Sequence, residues 1–224
     1  MALLQPSSAI ENLFALPVAA AELIGPGDPA VLIDREVERA ESMGEHRQRE
    51  FAAGRACARL AMDQLGADGP VAVVTDGRAP RWPDGLVGSI THTRGYCAAV
   101  VARTADVGAA QVGLDVEVIG RVKPNLWRRV FVEAEREQLA RRDDADLAAT
   151  VTFSVKEALY KAQFPVTQAW VGFEDVRVDW GDDGELVLCR ETSLPALDLL
   201  SWPVRGRWLE ADGRVITAVT TQPA

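Results

Sequence analysis

Hydrophobic positions along this chain change period several times, and each change marks an element. From about Glu133 to Phe164 the spacing is helical, and within it Val151, Val155, Ala158, Leu159 and Ala162 recur at three- and four-residue steps, as the core face of a helix does. A second stripe, Phe153, Glu157, Tyr160, Lys161 and Phe164, mixes charge with aromatics and so faces something other than the core. Pro165 predicts the end of this helix.

The rest of the chain reads in the same way. Residues 1 to 34 hold an apolar stretch, "IENLFALPVAAAELI", and a turn-rich "GPGDPA". Residues 35 to 65 are helical and charge-dense, with Gly66 as the C-cap. "PVAVVTDGRAPRWPDGLVGSITH" predicts strand, loop and strand, and "GYCAAVVAR" a further strand. After "RTADVGAAQ" the order recurs: the strand "VGLDVEVI", the helical region, then strands near "FEDVRVDW", "GELVLCR" and "GRWLEADGRVITAVT", with Asp212-Gly213 as the last hairpin turn. Helix followed by hairpin-linked strands, twice over, predicts an α+β fold with antiparallel sheets in two halves.

Charge narrows the function. A formal net charge of −9 over 224 residues argues against a sequence-independent nucleic-acid binder, so any phosphate site must be local. The first basic residue is Arg35 and no apolar run is long enough to cross a bilayer, so the cytoplasm is the expected location and no membrane partner is expected. Three widely separated cysteines without a CxxC spacing point to buried thiols rather than a disulfide framework or a zinc site.

In "VGLDVEVIG" the Asp115 and Glu117 side chains point to one face of a strand, and Leu114, Val116 and Val118 to the other. Oxygen-only ligands suit magnesium beside substrate phosphates. Taken alone, such a pair is more often a solvated sheet edge. Glu157 adds a third carboxylate, and Lys156 and Lys161 add the positive charge that a phosphate beside a metal needs. His92, after the strand "SITH", is one of two histidines, and Arg47 and Arg55 lie roughly 80° apart on a helix, near enough to reach one phosphate.

"GLDVE" followed about forty residues later by "FSVKEALYKA", with "GSITHTRGY", "HRQREFAAGRACARLAMDQLG" and "WVGFED" around them, resembles the motif set of the Sfp-type 4'-phosphopantetheinyl transferases. The resemblance spans most of residues 45 to 175. It implies two pseudo-symmetric halves, each a long helix on a small, mainly antiparallel sheet, at residues 1–111 and 112–224, acting as one structural unit. It further implies transfer of 4'-phosphopantetheine from coenzyme A to a serine of an apo carrier protein of fatty-acid, polyketide or nonribosomal-peptide synthesis, by a monomer, with release of adenosine 3',5'-bisphosphate.

The resemblance assigns Asp115, Glu117 and Glu157 to Mg2+, or Mn2+, against the pyrophosphate. Lys156 is assigned to the leaving phosphate, Lys161 to a phosphate or Glu157, and Glu157 also to the base, directly or through water. Arg47, Arg55 and His92, with Ser89 and Thr91 nearby, are assigned to the 3'-phosphate. Arg78 stands beside the position of the usual basic residue. Phe153, Tyr160 and Trp170 would wall the pantetheine channel or sit in ordinary core, and "RVKPNLWRR" is the candidate carrier-docking patch. Two competing classes remain: a metal nuclease, disfavoured by net charge and by the lack of a D/ExK strand, and a non-catalytic binding module, disfavoured by the presence of both Lys156 and Glu157.

Overall fold

A computed structural model describes residues 2–67, 71–76, 79–181 and 184–224, and these form two compact units, Met1–Gly108 and Ala109–Ala224. The boundary falls in the turn before the "VGLDVEVI" strand rather than at its first residues.

In the first unit the order is β1 (Leu3–Pro6), α1 (Ser8–Glu11), β2 (Ala19–Ile24), α2 (Arg35–Glu41), α3 (Glu45–Gln64), β3 (Val74–Asp76), β4 (Ala79–Arg81), β5 (Leu86–Thr93), β6 (Tyr96–Arg103) and α4 (Thr104–Val107). Strands run antiparallel in the order β1-β2-β6-β5, with β3 and β4 as a separate small hairpin. The helix α3 lies on this sheet through small residues, Ala53, Cys57, Ala58 and Ala61 against Ala19, Ala21, Cys97 and Ala99, so backbones approach closely. The apolar stretch "IENLFALPVAAAELI" thus supplies the end of α1 and strand β2, and β1 lies before it.

The helix expected from Arg35 to Leu65 is two helices, because Ser42, Met43 and Gly44 interrupt it and Gly44 is extended. Gly66 has a φ of +71°, the left-handed conformation that ends a helix and that glycine adopts without a Cβ penalty.

The second unit runs β7 (Gln111–Val118), α5 (Trp127–Val130), α6 (Glu133–Leu139), α7 (Ala145–Thr167), β8 (Val176–Trp180), β9 (Leu186–Arg190), β10 (Val204–Ala211) and β11 (Arg214–Thr221). Its sheet is antiparallel in the order β7-β11-β10-β9-β8. The expected apolar stripe of α7 is buried in the core against Val178, Leu186, Leu188, Val215 and Val219. The turn between β10 and β11 has positive φ at both Asp212 and Gly213, the conformation that a two-residue hairpin loop requires.

Pro165 does not stop α7, which continues to Thr167 and ends at Gln168 in the left-handed region. So close to the end, the missing proline N–H forfeits one bond, the one otherwise made to the Lys161 carbonyl. Among the described residues no helix is long and apolar enough to cross a membrane.

Candidate active site

Strand β7 turns Gly113, Asp115 and Glu117 towards α7. A Cβ at Gly113 would run into the Ala158 carbonyl, so the glycine lets the helix settle directly on the strand. That approach brings Ser154, Glu157 and Lys161, at helical steps of three and four, to the carboxylates.

Asp115 is held at both oxygens. Ser154 Oγ donates to Oδ2 at 2.8 Å, and Lys161 Nζ donates to Oδ1 at 2.7 Å and to the Leu114 carbonyl at 3.0 Å. The Ser154 hydroxyl also lies 2.9 Å from Thr217 Oγ1, on the residue of β11 that faces Asp115 across the sheet. Neither Ser154 nor Thr217 was singled out from the sequence. The spacing of Ser154, three residues before Glu157 and seven before Lys161, was the available signal.

Glu117 pairs with Arg121 at 3.1 Å. Burial, then the charge of Asp115, pushes its carboxyl up to about 7. Burial and then Asp115 also raise Glu157, with Lys161 acting in the opposite sense. The three carboxylates therefore feel one another, and they form an all-oxygen donor set of the kind that hard divalent cations take. As they stand, no group of three or more His, Cys, Asp or Glu side chains among the described residues is arranged to hold a metal ion.

Lys156 points elsewhere. Its ammonium donates to Glu135 Oε2 at 2.7 Å and to the Phe173 carbonyl at 2.8 Å, in a pair whose side chains are 3% and 1% exposed. Burial lowers Lys156 and raises Glu135, while each partner's charge opposes that shift in the other. Glu135 also accepts from the Val132 and Val178 amides.

Beside this pair lies a small cavity of about 120 Å³, lined by Lys156, Glu157, Tyr160, Trp170 and Phe173 among others. The Tyr160 and Trp170 rings lie 5.2 Å apart, and Trp170 is 64% exposed. Phe153 does not line it; its ring stands 5.3 Å from Phe173, behind the wall.

In the first unit, a cavity of about 330 Å³ is lined by Arg39, Arg47, Glu50, Arg55 and His92. The Arg55 side chain is buried, its Nε donating to the Val73 carbonyl at 3.0 Å and its guanidinium 3.9 Å from the Phe51 ring centre. Burial pulls Arg55 down to about 10, which leaves it charged at neutral pH. Arg47 Nη1 lies 2.7 Å from His92 Nε2.

Ser89 and Thr91, expected near the same phosphate, alternate with Ile90 and His92 along β5. They are buried on the opposite face of the strand and do not line the cavity. Arg59 Nη1 donates to both carboxylate oxygens of buried Glu36, at 2.8 and 3.0 Å. Arg78 lies outside the described residues. In the basic segment Arg121 is engaged with Glu117, Trp127 anchors to the Val122 carbonyl, and Lys123, Arg128 and Arg129 are exposed.

Family models match both units: residues 35–102 the "4'-phosphopantetheinyl transferase N-terminal domain" and residues 111–218 the "4'-phosphopantetheinyl transferase superfamily". The chain is 35% identical over 223 residues to 4'-phosphopantetheinyl transferase Npt of Nocardia iowensis, covering 94% of this chain and 98% of that protein. It is 38% identical over 199 residues to 4'-phosphopantetheinyl transferase PptT of Mycobacterium tuberculosis, covering 86% and 84%. Among solved structures, the holo-[acyl-carrier-protein] synthase of Thermotoga maritima matches 50% of this chain and 63% of its own with a TM-score of 0.42 and 22% identity.

Proposed function

The chain belongs to the 4'-phosphopantetheinyl transferase superfamily, of the Sfp type, and from that premise we propose that it transfers 4'-phosphopantetheine from coenzyme A to a serine of an apo carrier protein, releasing adenosine 3',5'-bisphosphate. The observation that carries this reading is the grouping on α7 and β7 of Glu157 and Lys161 with an Asp115 whose two oxygens are both fixed.

Phosphoryl transfer asks a protein mainly for in-line placement and charge stabilisation. Asp115, Glu117 and Glu157 would hold a magnesium ion, which when bound supplies positive charge against the pyrophosphate. Lys161 keeps Asp115 in place and contributes its own charge beside it. Glu157, with a carboxyl raised by burial, is suited to take the proton of the incoming serine. Arg47, Arg55 and His92 take the 3'-phosphate. Tyr160 and Trp170 take the pantetheine arm along the cavity that they line with Glu157.

The carrier domains would be those of fatty-acid, polyketide or nonribosomal-peptide synthases, met by a cytoplasmic monomer. Exposed Lys123, Arg128 and Arg129 provide a local basic surface for an acidic carrier on a chain that is acidic overall. The test is to incubate the protein with coenzyme A, magnesium and an apo carrier protein and to weigh the carrier. A gain of one phosphopantetheine is expected; an unchanged mass with several carrier types would overturn the proposal.

A further inference from the structure

Arg47, Glu50 and His92 are coupled more tightly than a phosphate pocket requires. Arg47 Nη1 lies 2.7 Å from His92 Nε2 and 3.0 Å from Glu50 Oε2. A guanidinium donates hydrogen bonds and accepts none, so Nε2 is the lone-pair nitrogen of the ring. The ring proton is then on Nδ1, which faces Glu50 Oε1 at 3.6 Å. His92 is therefore neutral in this arrangement.

Among the described residues, further charged or titratable groups border the cavities beside the ring. Arg39 of α2 and Arg55 of α3 share the larger cavity with it. His46, 3.7 Å from the same Glu50 oxygen, and Arg49 line a second cavity of about 200 Å³ on which His92 also borders, as do Tyr96 and Cys97 of β6. Among the described residues, Glu50 is the one carboxylate that lines either cavity.

We propose that Glu50 is a positioning residue that makes binding of a phosphate in this cavity take up a proton at His92. The inference rests on the reading of Arg47, Arg55 and His92 as the 3'-phosphate site. An arriving phosphate competes for the Arg47 N–H that Nε2 now accepts. Once released, Nε2 takes a proton from solvent and donates it in a hydrogen bond to a phosphate oxygen, while Nδ1 keeps its own proton towards Glu50. The imidazolium so formed lies between two anions, and its charge offsets the repulsion that Glu50 would otherwise exert on the ligand. With glutamine at position 50 only one of those anions remains.

Calorimetric titration of the full chain with adenosine 3',5'-bisphosphate, in buffers of different ionisation enthalpy at pH 7.5, counts the protons directly. The ligand's own phosphates, with a second pKa of about 6, contribute little there. Net uptake is expected, with affinity falling by up to about tenfold per pH unit above neutrality, and both effects should shrink in Glu50→Gln. Undiminished uptake in the variant overturns the inference.

Two controls separate it from the reading beneath it. AMP lacks the 3'-phosphate, so Arg47→Ala should weaken the bisphosphate much more than AMP; equal weakening would overturn the site assignment and the Glu50 inference with it. If Glu50→Gln fails to fold, nitrogen shifts of the His92 ring in the wild-type protein give the answer. Both ring nitrogens should move to protonated positions when the bisphosphate is added, and a ring that stays neutral in the complex overturns the proposal.

Discussion

Lys156 Nζ stands 2.7 Å from Glu135 Oε2 in a pair that joins α7 to the start of α6, while Glu135 Oε1 accepts from the Val178 amide of β8. Removing one partner leaves a buried charge uncompensated, which costs about 3 to 5 kcal/mol, whereas replacing both by apolar residues is often neutral. Lys156→Met should therefore lower the denaturation midpoint sharply, and Glu135→Gln combined with Lys156→Met, which removes the second charge but keeps an acceptor for the Val178 amide, should recover part of it. If Lys156 also acts on the leaving phosphate, that restabilised double variant still transfers slowly. Wild-type turnover in the double variant would confine Lys156 to a structural role.

Local signals carried much of this in the sequence, and contacts distant along the chain carried the rest. The core stripe of α7, the pairing of Asp115 with Glu117 on one face and the Asp212-Gly213 turn were legible because each is set by neighbours within a few residues. The partner of Lys156 lies 21 residues away and that of Arg59 lies 23 away, so neither buried pair could be read from helical spacing. Strand β2, "AAAELI", opens on three alanines and carries one β-branched residue, Ile24 at its end, so it announces a strand weakly and is one because it sits between β1 and β6. Ser89 and Thr91 were grouped with His92 through the resemblance of "GSITHTRGY" to the family segment, although adjacent strand residues face opposite ways.

Glu117 offers a test in stability. Its folded carboxyl is pushed up to about 7 from an ordinary 4.5, so between those values the folded state binds more protons than the unfolded state. Stability contributed at this site therefore falls as pH rises from about 4.5 to 7, by at most about 3 kcal/mol and less for the fraction that solvent screens. Glu117→Gln should raise the melting temperature at pH 8 without metal and bring little change at pH 5. Magnesium should raise the melting temperature of the wild-type protein more than that of the variant; equal shifts would remove Glu117 from the donor set.

Gly113→Ala tests whether the site depends on the close seating of α7. The added Cβ meets the Ala158 carbonyl, and backbone cannot swing aside as a flexible side chain does. A loss of about 1 to 3 kcal/mol is expected, together with a larger loss of transfer, because the shift opens the Ser154–Asp115–Lys161 contacts. Unchanged stability and activity would show that the strand and helix can part without cost.

Glu157 has two proposed duties, and they can be told apart. As a ligand it contributes charge, and as a base it contributes an acceptor whose carboxyl is raised by burial and by Asp115. Glu157→Gln keeps the shape and one oxygen but removes charge and basicity, so coenzyme A should still bind while single-turnover transfer falls by about a hundredfold to ten-thousandfold. A general base works only when deprotonated, so wild-type transfer should rise with pH through the carboxyl's apparent pKa and then level. If the loss in the variant is that of a base, alkaline pH restores part of it by ionising the serine, and added magnesium does not. If the loss is that of a ligand, saturating magnesium restores it and pH does not. Asp115→Asn is the reference, because Asp115 is already tied to Ser154 and Lys161 and has no proton-transfer duty: it should respond to magnesium alone. Transfer at the wild-type rate in both variants would place the chemistry away from α7 and β7.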